Sequence, residues 1–223
     1  PMKLISRLLD ISNNKNGIVL DFFAGSATVA HEVLRKNSED GGNRKFICVQ
    51  LPEPCKEGSE CLEDGFETIA DLSKERIRRA IKKISNEGGN GDLGFKAFRL
   101  AKSNYRIWED YAGNDAEELK KQAELFSKPL VDGYDDIDVI YEVIVKEGYG
   151  LNSQIEKADV STNSVYRVTD GDSSFYITLD AQVNAETLDV LDLDRDALFV
   201  CIDDALDDSQ KNNISRMCNL KTV

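Results

Sequence analysis

The residues best placed to do chemistry are the eight from Asp21 to Thr28, which read Asp-Phe-Phe-Ala-Gly-Ser-Ala-Thr. An apolar run, Ile18–Phe23, leads into them, and a helical pattern starting at Ala27 leads out. A strand ending on an acid, then a glycine turn and a helix start, offers a carboxylate for a cation. It also offers backbone N–H groups and a helix N-terminus for an anion. The stretch is not a phosphate-binding loop, because no Gly-x-x-x-x-Gly-Lys-Ser/Thr follows. It is not the dinucleotide fingerprint either, because Gly25 is its only glycine. On these residues alone two readings stand: a ligand loop, or an ordinary turn between strand and helix.

Other residue types narrow the chemistry. The run Lys74–Lys83 holds six Lys/Arg against Glu75 alone, and Arg76, Arg79 and Lys83 share one helical face. That face suits nucleic-acid phosphates, or equally a solvated or interdomain salt-bridge surface. Five cysteines (Cys48, Cys55, Cys61, Cys201, Cys218) show no CxxC spacing, and His31 is the only histidine. A zinc site needs about four clustered ligands, so none is expected. A disulfide framework is not expected at this length, and reduced thiols in a cytoplasm fit better. One histidine and no Gly-x-Ser-x-Gly leave no hydrolase triad. Asp135-Asp136 and Asp203-Asp204 lack the spacing of a calcium loop and read as solvated helix or strand ends.

The elements that must position these residues follow from the pattern. Leu4, Ile5, Leu8, Leu9 and Ile11 form a short helical stripe. Ile18–Phe23 is a strand, Ala27–Leu34 a helix that ends before Asn37, and Phe46–Leu51 a second strand stopped by Pro52 and Pro54. Strand, helix and strand in about 35 residues make a parallel βαβ unit. Residues 55–65 read as a polar loop, and Thr68–Ile84 as a helix opened by Thr68 and Asp71 as a capping box. A glycine-rich break at 86–92 marks a domain boundary. Beyond it, the pattern predicts a strand over Phe95–Leu100 and helices over Asp115–Phe126 and Ile137–Lys146. It also predicts a hairpin around Asp170-Gly171-Asp172, a short helix Asn184–Leu191, and a strand Leu198–Ile202. That grouping implies an α+β domain with an antiparallel sheet.

Several ordered motifs together resemble a known family. Asp21–Thr28 is similar to the S-adenosylmethionine motif of amino-methylating DNA methyltransferases, whose loop reads D-P-F-A-G-S-G-T. The match is closer to the modification (Mod) subunit of type III restriction–modification systems. That family carries D-F-F-A-G-S-G-T, then N-x-x-D-G-G-x-R-K-F, then a strand ending V-Q-L-x-E, then an arginine-rich helix. Here these read Asp21–Thr28, Asn37–Phe46, Val49–Glu53 and Glu75-Arg76-Ile77-Arg78-Arg79. Gly94-Phe95-Lys96, Ser103-Asn104-Tyr105 and Trp108 also resemble that family's pattern, which fits residues 1–110 well and the rest more loosely.

The resemblance implies an α/β fold: an incomplete Rossmann-like methyltransferase sheet followed by an α+β C-terminal domain. It implies S-adenosylmethionine as cofactor and methyl transfer to the exocyclic amine of adenine. Asp21, Phe22, Phe23, Ala24, Gly25, Ser26, Ala27 and Thr28, with Gln50 and Leu51, would line the cofactor. Asp21 would meet the ammonium, the Gly25–Ala27 amides and the Ser26 hydroxyl the carboxylate, Phe23 an apolar edge, and Gln50 the ribose diol. The implied partners are DNA, a restriction (Res) subunit and a second Mod subunit, with no membrane. Residues 1–88 would be the cofactor half, 89–113 a connection and 114–223 an assembly domain.

Two departures stand out. Ala27 replaces the family's second loop glycine, at a cost of ~1 kcal/mol or more if that position needs positive φ. The catalytic Asp/Asn/Ser-Pro-Pro-Tyr/Phe tetrapeptide is absent, since Pro1, Pro52, Pro54 and Pro129 are never adjacent. The expectation is therefore the C-terminal portion of a larger enzyme, inactive by itself, with Ile18–Phe23 left at a sheet edge or an intermolecular contact. The competing expectation is a non-catalytic, methyltransferase-like scaffold for protein binding.

The composition permits this. The 223 residues carry a net charge of -13, unusual for a free-standing nucleic-acid binder. The excess is confined to one part. Residues 1–100 hold 16 Lys/Arg and 15 Asp/Glu, and residues 101–223 hold 12 and 26. That acidic half faces either a partner protein or water. No apolar run approaches the ~18 residues of a membrane span.

Overall fold

The computed structural model describes residues 2–106, 117, 120, 128–160, 162–191 and 193–223. The chain forms two compact units, Pro1–Arg99 and Leu100–Val223.

In the first unit, β1 (Ile18–Asp21) and β2 (Lys45–Cys48) pair in parallel, with Ile18 opposite Lys45 and Asp21 opposite Cys48. Parallel neighbours require a crossover, supplied by α2 (Thr28–Asp40). This helix is longer than its apolar pattern suggests. Asn37 does not end it; its side chain brackets the backbone of Arg44, accepting from the amide at 3.1 Å and donating to the carbonyl at 2.8 Å. Gly41, at φ 65°, ends it instead. Arg44 is buried and paired with Asp40 at 2.9 Å. A Cβ on Gly42 would collide with the Arg44 guanidinium. Asn37, Asp40, Gly41, Gly42 and Arg44 are thus one turn, locked by its own side chains.

Helix α1 (Met2–Ser12) packs against α2 through buried Leu9 and an ion pair of Asp10 with Lys36 at 2.7 Å. The rest of its stripe is not buried: Leu4, Leu8 and Ile11 are exposed. After a short helix α3 (Glu60–Glu63), α4 (Ile69–Asn86) begins at Thr68, whose hydroxyl accepts from the Asp71 amide at 3.2 Å. Ile77 and Ile84 of α4 close a core with Ala27, Ala30 and Leu34. Leu93 and Phe95 pack on that core, and residues 95–100 form no strand, contrary to their alternating pattern. Burial of Phe95 against α2 and α4 replaces pairing in a sheet.

The two-stranded sheet is covered on one face, where Phe46 and Cys48 meet the helical core. Its other face presents Ile18, Leu20, Ile47 and Val49 to solvent, with Ile18 66% exposed. β1 lies at a sheet edge, as expected from the lack of a second strand partner; its apolar run alone reads as a central strand. It is shorter than that run, because Phe22 and Phe23 already belong to the turn.

The cysteine expectation is corrected. Cys55 and Cys61 form a disulfide, their Cα atoms 5.8 Å apart across the 55–65 loop. Count and spacing argued for thiols, but a six-residue separation closed by α3 brings the pair within bridging range. Cys48, Cys201 and Cys218 are free.

The second unit holds a five-stranded sheet in the order β3 (Gln154–Val160), β4 (Asn163–Asp170), β5 (Ser173–Thr178), β6 (Leu198–Cys201), β7 (Asn219–Thr222). The hairpin β4–β5 turns at Asp170-Gly171-Asp172, with Gly171 at φ 59°. The sheet is mixed rather than antiparallel, because β5–β6 and β6–β7 pair in parallel. Helices α6 (Ala185–Leu191) and α7 (Asp208–Met217) make the crossovers that those pairings need. Every residue of β6 is buried, and its two faces serve different cores. Val200 meets helix α5 (Asp136–Lys146), and Phe199 meets Ile214 of α7. Of the helix predicted over Asp115–Phe126 only Glu117 and Lys120 are described, both helical, and the aromatic Trp108 lies outside the described residues. Among those described, no helix is long and apolar enough to cross a membrane.

Candidate functional site

The loop 21–28 is held from three directions. Asp21 closes β1: its carbonyl accepts from Val49 at 2.8 Å, and its carboxylate accepts from the Phe23 amide at 3.2 Å. Phe22 and Phe23 then project outward, Phe23 being 89% exposed. Ala24 turns back under the sheet, buried, with its amide on the Val49 carbonyl at 3.1 Å.

Gly25 takes φ 53°, a left-handed conformation in which a side chain is strained. Its peptide groups are clamped on both sides. Gln50, just past β2, accepts from the Gly25 amide at 2.8 Å, and the Ser73 hydroxyl on α4 donates to the Gly25 carbonyl. Arg76, one turn further along α4, donates to the Ser26 hydroxyl at 2.7 Å. Ala27 follows at φ 56° and ψ 41°, with no side-chain cap on α2. Its methyl is wholly buried in the core with Ala30, Leu34, Ile77 and Ile84. The methyl that replaces hydrogen therefore fills space behind the loop.

This geometry alters the roles anticipated for individual residues. The Gly25 amide is taken by Gln50, and the Ala27 amide by the Ala24 carbonyl at 2.7 Å. What the loop offers an anion is thus the Ser26 hydroxyl and the uncapped first turn of α2. Gln50 does not stand free at the strand end: besides holding Gly25, its amide donates to the Leu51 carbonyl at 3.1 Å. Leu51 is exposed. Ser73 was not anticipated. Its signal was a hydroxyl in line with Ile69 and Ile77 on an otherwise apolar helical stripe.

The basic helix divides. Arg76 turns to the loop, whereas Arg79 reaches Glu75 at 2.9 Å and Lys83 reaches Glu87 at 3.9 Å, both on the exposed face. His31, one turn into α2, has its pKa lowered, first by burial and then by the Arg76 charge. Burial, helped by the Asp21 carboxylate, pushes the Cys48 thiol up to about 11, so it stays protonated and is no nucleophile. Among the described residues no His, Cys, Asp or Glu cluster could hold a metal. Asp136 accepts instead from the Tyr166 hydroxyl at 3.0 Å, and Asp203 pairs with Lys211 at 2.9 Å.

The parallel βαβ unit, with its glycine loop, acid and uncapped helix start, lies in the segment of the chain that matches a class of DNA methylases. Residues 1–61 match the DNA methylase family N6_N4_Mtase. Within that class the resemblance to type III modification subunits is borne out, and the chain is a relative of those subunits. It is 36% identical over 160 residues to the type III restriction-modification enzyme EcoP15I Mod subunit of Escherichia coli, covering 71% of this chain and 23% of that protein. It is 39% identical over 112 residues to the StyLTI Mod subunit of Salmonella typhimurium, covering 49% of this chain and 17% of that protein. It is 31% identical over 163 residues to the EcoPI Mod subunit of Escherichia phage P1, covering 72% and 24%. The chain spans about a quarter or less of the length of these relatives.

Proposed function

We propose that this chain is the cofactor-binding part of a type III modification subunit, which transfers a methyl group from S-adenosylmethionine to the exocyclic amine of adenine in DNA. The observation that carries the reading is the clamped loop between β1 and α2, in the segment that matches the methylase family. The residues present fit the cofactor's chemistry. Asp21 supplies a carboxylate for the ammonium, Ser26 and the first turn of α2 receive the carboxylate, and Phe23 supplies an exposed aromatic edge. Leu51 would add an apolar contact beside the adenosine. Phe22, Ala24, Gly25, Ala27 and Thr28 shape the turn. S-adenosylmethionine supplies an electrophilic methyl on a cationic sulfur, and this chain's residues bind and orient it.

The chain by itself is expected to methylate no DNA. It lacks the tetrapeptide that would hold a flipped adenine, so no residue here positions the attacking amine. Residues 1–88 serve as the cofactor half, 89–113 as a connection and 114–223 as an assembly domain for a restriction subunit and a second Mod subunit. Arg79 and Lys83, on the exposed face of α4, are the candidates for phosphate contacts. The test is calorimetry with S-adenosylmethionine on the 223-residue chain and on its Asp21→Asn variant, which keeps an acceptor for the Phe23 amide but removes the charge. Weak binding lost in the variant supports the reading, and equal binding by both refutes the role of Asp21.

A further inference from the structure

Arg76 has an unusual place among the cations of α4. Its neighbours have carboxylate partners: Lys74 reaches Asp71 at 2.8 Å, and Arg79 and Arg78 share Glu75, at 2.9 Å and 3.8 Å. Among the described residues no carboxylate lies within ion-pairing distance of Arg76. Its guanidinium is half-buried and spends a donor on a neutral hydroxyl, Ser26 Oγ, at 2.7 Å. A partly desolvated cation bound only to a neutral acceptor retains most of its capacity to hold an anion. The hydroxyl is also left with its own proton. An oxygen that accepts from a cation becomes a stronger donor, and among the described residues Ser26 donates its proton to nothing. Ser26 immediately precedes Ala27, where α2 starts without a side-chain cap.

We propose that Arg76 is a positioning residue for the carboxylate end of the methyl donor. It fixes the Ser26 hydroxyl as a donor and adds positive potential at the start of α2. Ser73 and Gln50 hold the Gly25 peptide on its two sides, so the turn keeps its shape while Arg76 sets its charge. The inference rests on the reading of loop 21–28 as the methyl-donor site, and it gives Arg76 a role other than DNA contact.

The test compares two probes on the 223-residue chain by calorimetry. S-adenosylhomocysteine carries the amino-acid end, and 5′-methylthioadenosine lacks it. Arg76→Met is expected to weaken S-adenosylhomocysteine about tenfold, the scale of one charge-assisted hydrogen bond, and to leave 5′-methylthioadenosine within about twofold. Arg76→Lys is expected to restore part of the loss. Ser26→Ala added to Arg76→Met is expected to cost little more, because the two act as a pair. Equal weakening of both probes, or none, assigns Arg76 to the scaffold and overturns the inference while the loop reading stands. Failure of the unmutated chain to bind either probe overturns the loop reading and the inference with it. Circular dichroism of each variant, expected to match the parent, separates a binding loss from unfolding.

Discussion

Ala27 invites a comparison that isolates backbone strain. Ala27 and Ala30 are three residues apart, both have no solvent exposure, and both pack in the core between α2 and α4. Replacement by glycine removes the same methyl at each. The lost burial costs about 0.8 kcal/mol at either site, with a small cavity added. At Ala30, inside the helix, glycine adds about 1 kcal/mol of lost helix propensity, for a total near 2 kcal/mol. At Ala27 the backbone is left-handed, φ 56° and ψ 41°, and glycine releases about 1–2 kcal/mol of strain. Greater freedom of the unfolded chain takes back about 0.4–1 kcal/mol. The net for Ala27→Gly is therefore within about 1 kcal/mol of zero. Urea denaturation followed by circular dichroism should show Ala30→Gly less stable than Ala27→Gly by at least about 1 kcal/mol. Equal losses would refute the strain argument. Because the Ala27 methyl lies in the core, Ala27→Gly should also leave affinity for S-adenosylmethionine unchanged.

Other expectations follow from the same geometry. His31 has a folded pKa below 6.5, set by burial and the charges of Arg76, Lys83 and Arg35 against that of Glu32. Its neutral form is therefore favoured by folding. Stability should be full above pH 6.5 and fall as the pH drops through 6.5 toward the folded pKa. His31→Gln should flatten that window in pH-dependent melting, and an unchanged profile would show that the lone histidine does not cause it. Gly42→Ala should cost about 1–2 kcal/mol by driving Arg44 off Asp40, whereas an unaltered melting temperature would mean that Arg44 swings aside freely. Leu20→Thr, on the bare sheet face, should change stability by less than about 0.5 kcal/mol. Phe199→Ala, on the fully buried strand β6, should cost about 3–5 kcal/mol in the same denaturation experiment.

Much of this was legible in the residues, for identifiable reasons. Ile18–Asp21 and Phe46–Cys48 announced themselves as apolar runs cut by turn residues, and the loop between them carried its motif in order. Asp170-Gly171-Asp172 marked its hairpin because φ > 0 at Gly171 is what such a turn requires. Long-range contacts were not legible. Nothing local to Arg76 says that it bonds Ser26, fifty residues earlier, rather than facing outward with Arg79. Asn37 reads as a helix breaker by type, yet its side chain binds the Arg44 backbone and the helix runs through it. The alternation of Phe95–Leu100 reads as a strand, but Phe95 found a helical core instead of a sheet partner. The parallel pairing of β6 with both neighbours was hidden because periodicity gives burial and leaves strand direction open. In α1 the apolar stripe was correctly placed on one face, and most of that face is bare.

The most direct test of the central claim is to map where a methyl donor touches the chain. Ultraviolet crosslinking of tritiated S-adenosylmethionine to the 223-residue chain, followed by trypsin digestion, reads this out in one experiment. Cleavage after Lys15 and Arg35 isolates the loop in a single peptide, Asn16–Arg35, which contains the exposed Phe23. The account predicts label concentrated in that peptide and displaced by excess S-adenosylhomocysteine. Label confined to peptides of the second unit, or insensitive to the competitor, would contradict it.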